Sequence, residues 1–267
     1  MKQELKKIVK PIVKWYQNQE KTLPWKQDKE PYHIWVSEIM LQQTRVEAVK
    51  KYYTRFMEEL PTIQDLANVS EEKLLKLWEG LGYYTRAKNL KKAAIQIIED
   101  YQGKMPTSYI ELLKLAGIGE YTAGAIASIS YKEKVPAVDG NVLRVISRVI
   151  ASKEDVLLPE TKRKIAKELL QIMPEEAGDF NEGLMELGEK ICMPNTIPLC
   201  EKCPIQEFCI AKKENLTAEL PVRIKKQKRK IEKKTVFILK YKEKIAIRKR
   251  GKTGILANLY EFPNVSR

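Results

Sequence analysis

The first 215 residues alternate between apolar and polar positions with the period of an α-helix. Apolar side chains recur every three or four residues in one segment after another, as the buried face of an amphipathic helix requires. The longest such segment is HIWVSEIMLQQTRVEAVKKYYTRF, residues 33–56. Ser70 is a predicted N-cap at the start of SEEKLLKLWEGLG, and Ser108 and Glu111 form a capping-box pattern at the start of the next helix. The pattern predicts a mainly α protein.

The pattern changes after residue 230. TVFILKYKEKIAIRKR, residues 235–250, is rich in β-branched and aromatic residues and has a polar Lys-Glu-Lys break, which is typical of a β-hairpin. A segment of this size is too short to bury a core of its own, so we expect it to pack on the helical part or to begin a further domain. We therefore predict a helical domain, a basic linker and a β-rich segment, at residues 1–220, 221–234 and 235–267.

Charge is distributed unevenly along the chain. The 267 residues include 49 Lys and Arg against 35 Asp and Glu, a net charge of +14. Residues 1–220 hold 33 basic and 32 acidic side chains, whereas residues 221–267 hold 16 and 3. A strong positive excess favours a polyanionic partner, with nucleic acid first among them, although a run of like charge is also typical of a solvated linker.

Apolar runs in this sequence stay shorter than the roughly 18 residues that span a bilayer, and the N-terminus lacks the continuous apolar core of a signal peptide. The sequence therefore predicts a cytosolic protein with no membrane partner.

All four cysteines lie within 18 residues, with the spacing C-x7-C-x2-C-x5-C; they are Cys192, Cys200, Cys203 and Cys209. In a protein predicted to be cytosolic, such clustering favours metal binding over disulfides. Four thiolates suit either a zinc ion or an iron–sulfur cluster, and the spacing alone leaves both open. Because the cluster follows the last long helical pattern, we expect its role to be structural.

The segment Leu115–Gly119 reads LAGIG between two helical patterns. Gly117 and Gly119 permit a tight turn and the close approach of another backbone, and the next helix directs free N–H groups to that point. This helix–hairpin–helix pattern predicts a phosphate site without sequence specificity, with a simple tight corner as the alternative.

Two acidic residues are candidates for catalysis. Glu38 lies among apolar positions, where loss of water would raise its pKa and suit a general acid. Asp139 lies just before a helix, where it can cap the helix and where the helix end would hold it ionised. One acid and one carboxylate are what glycosidic cleavage requires. The simpler alternatives are a surface position for Glu38 and a plain N-cap for Asp139.

Several motifs occur together in a characteristic order. They are LPW (23–25), PYHIWVSEIMLQQTRV (31–46), GLGYYTRAKNL (80–90), LAGIGEYTAGAIAS (115–128), VDGNVLRV (138–145), FNEGLMELG (180–188) and the cysteine cluster. Over essentially residues 5–265 the chain resembles the bacterial A/G-specific adenine DNA glycosylases of the helix–hairpin–helix DNA glycosylase superfamily. The family's commonest cysteine spacing begins C-x6-C, so the first gap here is one residue longer.

The resemblance implies a mainly α, two-lobed fold around a DNA-facing cleft. One lobe would be a six-helix barrel that bears the hairpin, and the other would combine N-terminal residues with the segment before the cysteines. The resemblance also implies a [4Fe-4S] cluster on the four cysteines. GILANLYEFPNVSR, residues 254–267, resembles the early part of a Nudix-like domain, so we expect either a fragment or a naturally short form.

By resemblance, Glu38 is the catalytic acid that protonates adenine at N7 and helps to deliver water, and Asp139 stabilises the developing sugar cation. Tyr121 and Asn141 match residues that support the intermediate. In bifunctional relatives the position of Tyr121 is a lysine that forms a Schiff base, which tyrosine cannot do. The resemblance therefore implies a monofunctional glycosylase that leaves an abasic site.

The target base must leave the helical stack to reach such a pocket. The family's adenine pocket corresponds here to Trp25, Lys26, Leu41 and Glu182, and many relatives carry arginine at the position of Lys26. Its DNA contacts correspond to Gln42, Gln43 and Thr44, to Tyr83, and to Gly117 and Gly119. Among these, Gln43 would enter the vacated stack and Tyr83 would intercalate beside the base opposite adenine.

The resemblance implies a monomer that binds double-stranded DNA with adenine opposite 8-oxoguanine or guanine, at the nucleoid in the cytoplasm. Two alternatives stay open. An endonuclease III-like glycosylase/lyase is disfavoured by Tyr121 and the Leu-Gln-Gln-Thr motif, and a non-catalytic iron–sulfur DNA-binding protein is disfavoured by Glu38 and Asp139.

Overall fold

The computed structural model describes residues 2–224, 231–254 and 256–266. The chain divides into two compact units, Met1–Ile224 and Lys225–Arg267. Part of the predicted basic linker, residues 225–230, lies outside the described residues. The predicted boundaries at 220 and 234 therefore stay predictions.

The first unit is built from helices, which confirms the mainly α prediction. Its α-helices are α1 (Lys2–Gln17), α2 (Pro31–Leu41), α3 (Val46–Glu59), α4 (Ile63–Asn68), α5 (Glu71–Leu77), α6 (Thr85–Tyr101), α7 (Tyr109–Leu112), α8 (Glu120–Tyr131), α9 (Gly140–Val149), α10 (Pro159–Leu170), α11 (Ala177–Lys190) and α12 (Ile210–Lys213). Single 3-10 turns lie at Pro24–Lys26, Cys200–Lys202 and Gln206–Phe208. Within the described residues, no helix is both long and apolar enough to cross a membrane.

Local capping explains where several of these helices begin. The side chain of Ser70 accepts a hydrogen bond from the N–H of Lys73 at the start of α5, as the sequence predicts. Ser108 accepts from the N–H of Glu111 at the start of α7 and donates to the Glu111 carboxylate. Each cap satisfies an N–H group that a helix start leaves without an intrahelical partner.

The long apolar pattern of residues 33–56 does not form one continuous helix. Helix α2 ends at Leu41 and α3 begins at Val46, with Gln43 in the left-handed region at a φ of 59°. The turn contains neither glycine nor proline, so the usual sequence signal of a helix break is missing here. In the folded chain Arg86 binds the carbonyl groups at the end of α2, which stabilises the break.

Two hydrophobic cores give the first unit two lobes. Helices α2 to α8 surround the first core, whose largest fully buried side chains include Trp35, Phe56 and Trp78. Helices α1, α9, α10 and α11 surround the second, in which Phe180 is fully buried. Because α1 packs on α11, the second lobe combines the N-terminus with the segment before the cysteines, as the two-lobed prediction requires.

Backbone touches backbone at two glycines, between the two lobes at Gly178 and between α8 and the segment that follows it at Gly124. A Cβ added at Gly124 of α8 would lie 2.4 Å from the carbonyl oxygen of Pro136, and one added at Gly178 of α11 would lie 2.8 Å from Cα of Ile129. Both distances are shorter than the normal separation of two atoms in contact, so neither position has room for a side chain. This packing fixes α8, α11 and the segment that leads to Asp139 against one another.

The second unit contains short antiparallel strand pairs. Strand β1 (Lys234–Val236) pairs with β6 (Asn264–Ser266), β2 (Lys240–Tyr241) with β3 (Lys244–Ile245), and β4 (Arg248–Lys249) with β5 (Tyr260–Glu261). The β2–β3 pair is the predicted hairpin around the Lys-Glu-Lys break. Many apolar side chains of this unit stay exposed, among them Ile238 and Tyr241, as expected for a segment too small to bury a core of its own.

The contact at Gly124 leads to a test of the packing between α8 and the segment that leads to Asp139. In a helix, Gly→Ala alone would stabilise by roughly 1 kcal/mol. Because the added methyl meets backbone, we expect Gly124→Ala instead to lower the free energy of unfolding by about 1–3 kcal/mol, measured by urea denaturation. Gly140→Ala is the matched control, since nothing lies within 4 Å of its added Cβ. Equal stability of both variants and the wild type would contradict the packing described here.

Candidate active site

A buried carboxyl group lies at the centre of the candidate site. Glu38 of α2 is 8% exposed, and its carboxylate accepts a hydrogen bond from the hydroxyl of Tyr121 on α8. Burial raises the pKa of Glu38 to about 7, against the opposing influence of the Tyr121 hydrogen bond. Near neutral pH this carboxyl is therefore divided between its protonated and ionised forms, as a general acid requires.

A second carboxyl group begins α9. The side chain of Asp139 accepts the N–H of Val142 at 2.8 Å and the side-chain amide of Asn141 at 2.8 Å. The sequence predicts that the helix end dominates this carboxyl. In the structure burial is the larger influence and raises the pKa of Asp139, while the bonds from Val142 and Asn141 oppose it. The Asp139 side chain is partly buried, although Gly140, the first residue of α9, is exposed.

The fold brings these residues together from different helices, which the sequence alone does not show. The charges of Glu182 and Asp139 both raise the pKa of Glu38, so the three carboxyls lie within electrostatic range. Burial raises the pKa of Tyr121 well above its ordinary value, and Glu38 and Asp139 add to that effect. The Tyr121 hydroxyl therefore stays neutral and acts as a hydrogen-bond donor.

Lys26 and two glutamates form a charged cluster beside these carboxyls. The Nζ atom of Lys26 lies 2.7 Å from Oε2 of Glu186 and 3.7 Å from Oε1 of Glu182. Burial acts to raise the pKa of Glu186, but its bonds to Lys190 and Lys26 outweigh burial and lower it. The sequence did not single out Glu186, whose position on the same helix four residues after Glu182 is the signal that could have identified it.

The remaining residues expected at the adenine pocket are apolar. Trp25 is 3% exposed and packs edge-to-face on Tyr53, with ring centroids 5.3 Å apart. Leu41 is half-buried at the end of α2 and packs against the first core. Met185, which the sequence did not single out, lies with its sulfur 3.1 Å from the Tyr121 hydroxyl.

The expected DNA-inserting residues lie on two turns. Gln43 is exposed, and Tyr83 is 60% exposed with a left-handed φ of 46°. The side chain of Gln42 donates to Thr122 of α8 at 3.5 Å, which links its turn to the helix that carries Tyr121. Thr44 is half-buried on the same turn.

The predicted hairpin joins α7 to α8. Gly117 has a φ of 75°, and a Cβ there would lie 2.7 Å from Cβ of Asn89. Gly119 directly precedes α8, and nothing lies within 4 Å of the position of its missing Cβ. The hairpin is therefore tight at Gly117 and open at Gly119, where another backbone could approach α8.

The four cysteine side chains line one cavity, together with Arg148. Burial raises the pKa of Cys203 to about 12 and also raises the pKa of Cys209, so these thiols need a bound cation to become thiolates. In the described part of the chain, no group of three His, Cys, Asp or Glu side chains has the geometry to hold a single metal ion. Four cysteine thiols around one cavity are side chains that a zinc ion or an iron–sulfur cluster can bind.

Two buried arginines of α9 both bind Cys192, and Arg144 also contacts Asn141. Arg144 donates to the side-chain oxygen of Asn141 at 2.9 Å and to the carbonyl of Cys192 at 2.8 Å. Arg148 donates to Sγ of Cys192 at 3.2 Å. Sequence reasoning missed both. Their signal is two arginines four residues apart on an apolar helix face, since such charges are buried only when they are paired.

Comparison with known proteins identifies relatives. Residues 36–175 match the family described as HhH-GPD superfamily base excision DNA repair protein. An adenine DNA glycosylase from Buchnera aphidicola subsp. Schizaphis graminum is 40% identical over 260 residues, which cover 95% of this chain and 73% of that protein. Adenine DNA glycosylases from Arabidopsis thaliana and Homo sapiens are 37% and 42% identical, over 98% and 75% of this chain. The chain spans 48% and 38% of the length of these two relatives.

Solved structures share the fold. A thermostable thymine-DNA glycosylase matches with a TM-score of 0.70 and 28% identity, over 79% of this chain and 98% of that one. Endonuclease III in a non-covalent DNA complex matches with a TM-score of 0.67 and 25% identity, over 81% and 98%. These matches confirm the predicted helix–hairpin–helix glycosylase fold. The chain therefore belongs to the HhH-GPD superfamily of base excision DNA repair proteins, within its adenine DNA glycosylase family.

Proposed function

We propose that this protein is a monofunctional DNA glycosylase that removes adenine opposite 8-oxoguanine or guanine from double-stranded DNA. The observation that carries the proposal is the buried Glu38 carboxyl, hydrogen-bonded to Tyr121 and within electrostatic range of Asp139. Relatives named adenine DNA glycosylases over most of this chain's length support the substrate. DNA binding is supported by the structural neighbour solved with DNA.

In the proposed reaction the protonated carboxyl of Glu38 gives its proton to N7 of adenine. The bond between the sugar and adenine N9 then breaks, and its electron pair leaves with the base. The sugar becomes an oxocarbenium-like cation, which the Asp139 carboxylate stabilises through its negative charge. Asn141 orients that carboxylate, since its side-chain amide donates to Oδ2 of Asp139 at 2.8 Å.

Water completes the reaction. The ionised Glu38 accepts a proton from the attacking water, so the carboxyl returns to its starting state. Tyr121 has no amine and cannot form a Schiff base with the sugar, so the product is an intact abasic site. Its hydroxyl remains a donor to Glu38 and holds that carboxyl in position.

Adenine reaches Glu38 only after it leaves the duplex. In the proposed complex Gln43 fills the vacated position, and Tyr83 stacks beside the opposite base. Gly117, Gly119 and the start of α8 bind backbone phosphate. The pocket for the flipped base consists of Trp25, Lys26, Leu41 and Glu182, where an ammonium and a carboxylate can meet the acceptors and the amino group of adenine.

We further propose that the four cysteines hold a [4Fe-4S] cluster. The cavity suits the cluster because its four cysteines supply thiols as ligands. In addition, Arg148 donates a hydrogen bond to Sγ of Cys192, and hydrogen bonds of this kind support the sulfur ligands of a cluster. When bound, the cluster cross-links the chain after α11. The protein is proposed to act as a monomer at the nucleoid in the cytoplasm, where its DNA substrate lies.

The substrate proposal is tested with three duplexes that contain adenine opposite 8-oxoguanine, adenine opposite guanine, or thymine glycol opposite adenine. We expect strand breaks at adenine in the first two, and only after alkali, because an intact abasic site is alkali-labile. Breaks at thymine glycol without alkali would instead support an endonuclease III-like enzyme. Binding without any product would support a non-catalytic protein.

Glu38→Gln tests the proposed acid, because the amide keeps the shape of the side chain and cannot donate the proton. We expect the single-turnover rate of excision to fall by about 100- to 10,000-fold, with the affinity for the duplex retained. Glu58→Gln is the control, since Glu58 is an exposed acid of the first unit. An undiminished rate in the Glu38 variant would remove Glu38 from the mechanism.

The pH dependence follows from the raised pKa of Glu38. Because the acid acts in its protonated form, we expect the excision rate to fall as pH rises through about 7. The hydrogen bond from Tyr121 stabilises the ionised form, so Tyr121→Phe should shift this decline to higher pH. The measurement is the single-turnover rate of both proteins between pH 5 and pH 9, roughly two units on either side. A decline at the same pH in both would contradict the assignment.

A further inference from the structure

One arginine side chain contacts both of the turns expected to enter DNA. Arg86 lies in the first turn of α6. Its Nη1 atom donates to three carbonyl oxygens at the end of α2, at 2.8, 3.0 and 2.6 Å, those of Ile39, Met40 and Gln42. These carbonyls have lost their helical partners, because α2 ends at Leu41. A cation at a helix C-terminus is also favoured by the helix dipole.

The other end of the guanidinium binds the second turn. Its Nη2 atom donates to the carbonyl oxygens of Leu81 at 3.0 Å and Gly82 at 3.3 Å, and it lies 3.4 Å from Oγ1 of Thr44. The plane of the group packs near two rings, with its carbon 5.4 Å from the centroid of Trp78 and 5.6 Å from that of Tyr83. Trp78 is fully buried, so it provides a fixed surface for the guanidinium.

Both turns adopt backbone conformations that need external support. Gln43 and Tyr83 have left-handed φ values of 59° and 46°, which residues other than glycine rarely adopt. Such conformations persist only where surrounding contacts determine them. Arg86 binds the residue before Gln43 and the residue before Tyr83, through the carbonyls of Gln42 and Gly82.

We propose that Arg86 is a positioning residue that joins the Gln43 turn and the Tyr83 turn into one preformed DNA-inserting unit. This inference rests on the proposed function and deepens it. Arg86 does not itself enter the DNA, because both of its Nη atoms are bound to the protein and its Nε atom is buried. Its effect is to fix the relative placement of two exposed side chains before DNA arrives, so that binding does not have to order them.

Arginine is required because two nitrogens in one plane face two separate segments. A lysine at this position keeps the charge but has one nitrogen, which can bind only one of the turns. Arg86→Lys therefore removes the link between the two turns and keeps the positive charge. Arg55→Lys is the matched control, since Arg55 also donates to a carbonyl, that of Leu77 at 2.7 Å, and lies 5.4 Å from the ring of Tyr52.

The experiment measures base unstacking apart from chemistry. In a Glu38→Gln background, a duplex with 2-aminopurine in place of the target adenine, opposite guanine, reports unstacking as increased fluorescence at saturating protein. We expect Arg86→Lys to lose most of this increase and Arg55→Lys to retain it. With Glu38 present, Arg86→Lys should slow single-turnover excision by about 10- to 100-fold. Its pH profile should stay unchanged, because Glu38 is not altered.

Each outcome decides the inference. The reference protein is the Glu38→Gln variant with Arg86 intact. The inference is overturned if Arg86→Lys gives the same increase in fluorescence as this reference. It is also overturned if the reference gives no increase. A loss confined to Arg86→Lys supports it even if no adenine is ever excised, in which case the proposed function fails on its own. Because the signal is read at saturation, a lower folded fraction does not imitate the loss.

If the Arg86 variant does not fold, a second measurement tests the inference without it. In the Glu38→Gln background, Gln43→Ala, Tyr83→Ala and the double variant are compared by the same fluorescence. If the two turns act as one unit, the double variant should lose little more than either single variant, so their effects are not additive. Additive losses would show that the turns insert independently and would overturn the inference.

Discussion

The whole arrangement depends on keeping one carboxyl group out of water without placing a cation against it. An ion pair would lower the pKa of Glu38 into the acid range, and exposure would do the same. In the structure Tyr121 provides a hydrogen bond from a neutral group, and the ammonium of Lys26 is bound to Glu186 instead. The buried neighbours of Glu38 on α2, from Ile34 to Met40, complete the dry environment.

The parts of this arrangement that local rules determine could be predicted from the sequence. Ser70 and Asp139 cap helices as expected, because an N-cap acts within three residues of its own position. The helical period predicts the helices of both lobes, since burial of one face depends on spacing alone. The polar break in the β-rich segment likewise predicts the β2–β3 hairpin.

What the sequence could not reveal depends on contacts between distant residues. The turn at Gln43 contains neither glycine nor proline and is stabilised by Arg86, which lies more than forty residues away in the chain. The meeting of Glu38 with Asp139 depends on how α2, α8 and α9 pack. The partners of Arg144 and Arg148 near Cys192 lie more than forty residues away in the chain, so the sequence does not identify them.

The two glycine contacts have a consequence for how steady the site is. At Gly124 helix α8 touches the main chain of Pro136, and at Gly178 helix α11 touches the main chain of α8; main chain has no rotamers to exchange. These contacts hold the backbone of α8, which carries Tyr121, at a fixed distance from the segment before Asp139. Side-chain hydrogen bonds from Tyr121 and Asn141 then position the two carboxyl groups on that fixed backbone.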